Sequence, residues 1–204
     1  GIVCAVNYMR RWDIKYTLVE DIIKSKKLGD LQSISAYGCT ALLTSASHLI
    51  DLFIRFGGEI DWIAGDFQID FVIEVNGKKY SGVVAFVNFK NGATGYLKCT
   101  SKDPFHYMFE IDLLFSDGRV TISDDGREMG IWSFTDKDTN SGSGYKTLEK
   151  ISNYKYGIEN ERMLDAISDI IKCIETSQDP KSNGLNAIEV HRLIQGIKMS
   201  HKKK

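Results

Sequence analysis

Residues 44–56, TSASHLIDLFIRF, place a hydroxyl, an imidazole, a carboxylate and a guanidinium in a regular series. Thr44, His48, Asp51 and Arg55 are separated by four, three and four residues, so on a helix they line one stripe. An imidazole titrates near neutrality and can act as a general acid or base, with a neighbouring hydroxyl or carboxylate to orient its ring. The same spacing describes a partly solvated helix face carrying an Asp51–Arg55 ion pair worth a few tenths of a kcal/mol. Spacing alone leaves both readings open.

A second group is Asn7-Tyr8-Met9-Arg10-Arg11-Trp12. Adjacent arginines among aromatics can bind a phosphate or a sugar hydroxyl, because the guanidinium fork donates several hydrogen bonds. The alternative is one surface Arg and one Arg packed against Trp12. His106 and His191 read as structural or surface histidines. Glu110 and Asp112 alternate in an apolar run and share a solvent face. No GxGxxG, Walker loop, GxSxG or HExxH occurs, so a complete nucleotide site is not written in this chain. The four cysteines, at 4, 39, 99 and 173, form no CxxC pair, which argues against a metal site of zinc type.

These groups need a scaffold, and 204 residues with 43% hydrophobic content suit one domain, 1–204, with a sizeable core. A net charge of -1 removes the basic footprint of a nucleic-acid binder, and the His-Lys-Lys-Lys ending at 201–204 reads as a solvated end. No apolar run is long enough to span a bilayer and nothing resembles a secretory signal. The expectation is a cytoplasmic protein with reduced cysteines, without nucleic-acid or membrane partners.

Periodicity supplies the elements. Residues 2–8 read as a strand and Asp13 onward as a helix, with Ile14, Leu18 and Ile22 on its apolar stripe and Gly29 to close it. Residues 31–37 alternate as a strand, and 41–56 form a helix stopped by Gly57-Gly58. From 59 to 134 the chain is β-rich. Asn76-Gly77, Asn91-Gly92, Asp117-Gly118 and Asp125-Gly126 are tight-turn dipeptides between strand runs, which predicts an antiparallel meander. Residues 136–144 read as a loop. Two apolar-striped helices follow, the first with Met163, Leu164, Ile167, Ile170, Ile171 and Ile174. The fold class is α+β, a mostly antiparallel open sheet with helices on one face. The other sheet face carries apolar residues and calls for a partner subunit, a homodimer or homotetramer.

VNYMRRWD, then LGDLQSISAYG, then ALLTSASHLIDLFIRFGGEIDWI, in that order, resembles the second domain of the glucose-fructose oxidoreductase / inositol 2-dehydrogenase / MocA family. The closing segment LDAISDIIKCIETSQDPKSNGLNAIEVHRLI is similar to that family's ending, so the resemblance covers nearly the whole chain. It implies a C-terminal substrate and oligomerisation domain of the dihydrodipicolinate-reductase-like type. It implies NAD or NADP bound by an N-terminal Rossmann domain of the same protein, a domain absent from these residues, and a sugar, nucleotide sugar or polyol as substrate. The family's active-site histidine corresponds to His48, the acceptor of the hydroxyl proton as hydride leaves the same carbon. Thr44 stands where members often carry Asp or Asn, so it can orient the ring but supplies no carboxylate. The resemblance puts Asn7, Arg10 and Arg11 near the substrate cleft, with Asp51 beside them. A non-catalytic or redox-dead module of the same fold is the alternative, prompted by Thr44.

Overall fold

The computed structural model describes residues 2–38, 45–75, 77–100, 108–124, 126–135, 146–154 and 161–203. Residues 2–8, expected as a strand, form none. Ile2 is 98% exposed, and the segment touches the rest of the chain through a single bridge, Ala5 to Asn183, beside a hydrogen bond from Val6 N to Ser182 O of 3.0 Å. A β-rich run needs a neighbouring strand, and none lies alongside. A short 3₁₀ turn, Met9–Trp12, follows instead and leads into helix α1, Ile14–Ser25.

Asp13 caps α1 by accepting from Lys15 N at 3.0 Å. The helix ends earlier than Gly29: Lys26 takes the left-handed conformation at φ 52°, and Lys26 and Lys27 N–H bond back to Ile22 and Ile23 carbonyls. Its buried stripe is Tyr16, Val19 and Ile22, whereas Ile14 is 55% exposed. The stripe is shifted because Tyr16, an aromatic in the first turn, takes the core position that Ile14 was expected to hold.

Strand β1, Leu31–Gly38, and helix α2, Ser45–Gly57, come next. Then follow β2 (Ile60–Val75), β3 (Lys78–Phe89), β4 (Thr94–Cys99), β5 (Phe109–Phe115), β6 (Gly118–Ser123), β7 (Glu128–Thr135) and β8 (Thr147–Tyr154). Helices α3, Arg162–Thr176, and α4, Gly184–Lys202, close the chain. The eight strands form one sheet in the order β2-β3-β4-β1-β5-β6-β7-β8. Two meanders, β2 to β4 and β5 to β8, flank β1, which runs parallel to β4 and antiparallel to β5. All other pairs are antiparallel. The expected mostly antiparallel open sheet is therefore present, with a parallel β1–β4 pair and an edge strand, β8, that the sequence reading missed. Of the expected turn residues, Gly92 between β3 and β4 has φ +89°, and Ser116-Asp117 joins β5 to β6. Asn76 and Asp125 lie outside the described residues, as does the expected loop at 136–144.

The sheet is two-faced. In β1, β4, β5 and β6 alternate residues are buried, among them Ile34, Ala36, Leu97, Ile111, Leu113, Val120 and Ile122. Helix α2 covers this face at β1 and β4 with Leu49, Leu52, Phe53 and Phe56, and α4 covers β2 with Ile194 and Ile197. The opposite face carries no helix contact of that kind. There Trp62 and Phe86 are 52% and 57% exposed, Phe86 leans on Tyr96 with centroids 5.1 Å apart, and Tyr96 meets Tyr37. Among the described residues no helix is long and apolar enough to cross a membrane.

Candidate functional site

His48 lies in the first turn of α2, whose apolar residues Leu49, Leu52 and Phe53 are fully buried and fix the helix against the sheet. Its ring meets the edge of Tyr8 at 5.4 Å between centroids and 83° between planes. Its Nδ1 is buried without a hydrogen-bond partner. Burial, with the charges of Arg10 and Arg162 added, pushes the His48 pKa down to about 4. At neutral pH the imidazole is therefore uncharged and able to accept a proton. Tyr8 itself is 6% exposed and shares a hydrogen bond with Ser47. Burial first, then the Asp51 charge, raise its phenol above the ordinary range.

The helix stripe resolves differently from a same-helix ion pair. Asp51 does not pair with Arg55. It is 2% exposed and receives Arg11 in a fork, Nη2 to Oδ1 at 2.7 Å and Nε to Oδ2 at 2.9 Å. Burial still raises the Asp51 carboxyl above the usual carboxylate range, against the pull of Arg11. The other Arg11 nitrogen, Nη1, donates to Lys181 O at 3.1 Å. Arg55 pairs with Glu20 of α1 through Nε and Nη2. Two cross-element pairs thus tie α2 to the 3₁₀ turn and to α1. A same-helix spacing rule cannot see partners that tertiary packing brings in.

Arg10 is 5% exposed and stacks over the Phe109 ring at 3.6 Å. Asn7 is exposed, with its Nδ2 4.0 Å from Met163 Sδ. Thr44 lies outside the described residues, and so does His106. His191 is exposed on α4. The 201–204 end is not merely solvated: α4 continues through it to Lys202, and His201 bonds Asp66 and packs on Phe67 at 5.3 Å. Glu110 and Asp112 do alternate on the less buried face, where Asp112 pairs with Arg119.

Tyr8, Ser47 and Arg162 belong to the His48 neighbourhood without having been singled out. Arg162, at the start of α3, lies 3.5 Å from Asp13 and lends its charge to the ring of His48. Tyr8 had a signal, as the aromatic inside NYMRR, while Arg162 had none. A cavity of about 500 Å³ opens at the other end of α2, between Arg55, Glu59, Glu189 and Arg192, and its charges balance one another. It does not touch His48, and the chemistry argues for the imidazole rather than the larger hollow. Among the described residues, no three His, Cys, Asp or Glu converge as metal ligands.

No family model matches the sequence. An uncharacterized protein of Haemophilus influenzae is 30% identical over 90 residues, 44% of this chain and 87% of that protein. Among solved structures, levoglucosan dehydrogenase in complex with NADH and levoglucosan superposes with a TM-score of 0.80 at 15% identity, over 99% of this chain and 65% of its own. Gal80p of Saccharomyces cerevisiae, as a super-repressor mutant, gives 0.76 at 14% identity, over 100% and 64%. UDP-N-acetylglucosamine 3-dehydrogenase of Acidithiobacillus ferrooxidans gives 0.69 at 10% identity, over 99% and 62%. The chain thus spans less than two thirds of the length of these solved proteins.

Proposed function

We propose a function for a chain that belongs to one family with the Haemophilus influenzae protein and has the fold of the C-terminal domain of the glucose-fructose oxidoreductase / inositol 2-dehydrogenase / MocA oxidoreductases. It is the substrate and assembly domain of a nicotinamide-dependent dehydrogenase that acts on a sugar, nucleotide sugar or polyol. The carrying observation is His48, an uncharged, half-buried imidazole with an unpartnered Nδ1, held against Tyr8 beside the 3₁₀ turn. Oxidising an alcohol carbon sheds a hydride and a proton. His48 takes the proton from the hydroxyl, and the hydride leaves to the nicotinamide that the cofactor domain supplies. Asn7, exposed at the rim, is the polar group left to meet a substrate hydroxyl. Arg10, Arg11 and Asp51 serve from behind: their pairs and stacking hold the turn that carries Tyr8. Thr44 precedes His48 by one helical turn in sequence and is the candidate to orient its ring.

The open sheet face, with Trp62, Phe86, Tyr96 and Tyr37, is the assembly surface in this reading, and the compartment is the cytoplasm. The nicotinamide site belongs to a domain outside these residues. Calorimetry tests this division: the 204-residue chain shows no saturable NADH or NADPH binding, and the complete product of its gene does. Saturable binding by the chain alone contradicts it. A second reading, a non-catalytic module, draws on the likeness to Gal80p, whose name describes a repressor. It gains if the gene product binds cofactor and oxidises nothing in a broad sugar and polyol panel.

A further inference from the structure

Helix α3 is turned inside out. Met163, Leu164, Ile167, Ile171 and Ile174 are 45, 57, 50, 51 and 61% exposed. Steps of three and four put them on one stripe, while the helix buries only Ala166 and Cys173. Five half-exposed large side chains make a patch on the order of 400 Å², the size at which an apolar surface marks an interaction site. The patch is not part of the open sheet face. It begins at the candidate site, because Arg162 reaches Asp13 at 3.5 Å and Met163 Sδ lies 4.0 Å from Asn7 Nδ2.

We propose that this stripe seats a dinucleotide-binding domain, which thereby closes the His48 site along α3. The inference rests on the dehydrogenase reading above and names the surface that reading requires. Three observations select the occupant. The solved relatives match this chain over its whole length and continue for about a third more of their own, and one of them holds NADH. The hydride acceptor has to reach the carbon next to His48, so the domain that carries it abuts the rim of that site. The stripe starts at that rim, with Asn7, Asp13 and Arg162. A second copy of the chain is the lesser candidate, because the aromatic sheet face already offers a self-complementary surface elsewhere.

The test is cysteine footprinting with a maleimide. Ile171→Cys and Phe86→Cys are each placed in a Cys4→Ser background, Cys4 being exposed. Each is made in the 204-residue chain and in the product expressed from the gene's own first codon. NADH binding is followed on the same samples by fluorescence. The expected result is that the gene product binds NADH and slows labelling at 171 by at least about tenfold relative to the 204-residue chain. Labelling at 86 does not follow that difference. Cofactor binding without protection at 171 overturns the α3 seat and leaves the dehydrogenase reading standing. A gene product that binds no NADH overturns both. Protection at 171 that is already present in the 204-residue chain and grows with concentration assigns the stripe to a second copy, which also overturns the proposal.

Discussion

Arg11 grips the buried Asp51 with two near-parallel hydrogen bonds, Nη2 to Oδ1 at 2.7 Å and Nε to Oδ2 at 2.9 Å. The pair joins residues 40 apart in sequence and pins the turn that carries Tyr8 onto the helix that carries His48. Removing one partner leaves the other charge buried and alone, so Arg11→Ala and Asp51→Ala should each lose about 3–5 kcal/mol in urea unfolding. The double variant Arg11→Met/Asp51→Leu should recover most of that loss. Equal losses in singles and double would show that the pair is not what holds the turn.

The His48 ring governs the acid limb of stability. Between pH 6.5 and about 4 the unfolded chain binds a proton there that the folded chain refuses. The unfolded state then carries more protons, so stability falls as pH drops through that window. Asp51 acts in the opposite sense. Its raised carboxyl keeps a proton longer in the folded state, so its contribution declines as pH rises through its titration. Chemical denaturation across pH should show the acid-side loss, and His48→Gln should flatten it. Proton NMR should place the His48 titration near 4, and a midpoint near 6.5 would refute the burial argument.

Much of this architecture was legible because it is local. The apolar series Leu49, Leu52, Phe53 and Phe56 announces α2, and alternation in FEIDLLF and GRVTIS announces β5 and β6. Non-local pairing was not legible. Nothing in LQSISAYG says that β1 inserts between two meanders and runs parallel to β4. TLEKISNY hides β8, because most of its residues are exposed on an edge and follow no period. IVCAVNY has strand composition and no strand to pair with. The α3 stripe has the pattern of a core helix although the chain itself buries none of it. His48 was legible as chemistry, whereas its neighbours Tyr8 and Arg162 were brought to it by the fold.

Close packing under α2 gives a sharper test of the core. A Cβ on Gly95 of β4 would overlap the Phe53 ring, and one on Gly57 at the end of α2 would overlap Phe89. Those rings are fully buried and cannot retreat without displacing neighbours. Gly95→Ala and Gly57→Ala should each destabilise by about 1–3 kcal/mol in thermal or urea unfolding. Neutral behaviour at both would mean that the α2–sheet spacing differs from the one described.

The exposed aromatic band on the sheet predicts self-association. Sedimentation velocity should find the chain larger than a monomer, and Phe86→Lys, at a position already 57% exposed, should return it to monomer with little loss of fold stability. A wild-type chain that stays monomeric at high concentration would remove this face as an assembly surface.

The central claim is that His48 is the acid/base of an alcohol oxidation, and steady-state kinetics of the complete gene product test it most directly. With a sugar or polyol that supports NADH or NADPH formation, His48→Gln should lower kcat by about 10²–10⁴-fold. Cofactor affinity should be unchanged. A variant that turns over like the wild type, or a cofactor-binding protein that reduces no nicotinamide with any compound of a broad panel, would contradict it.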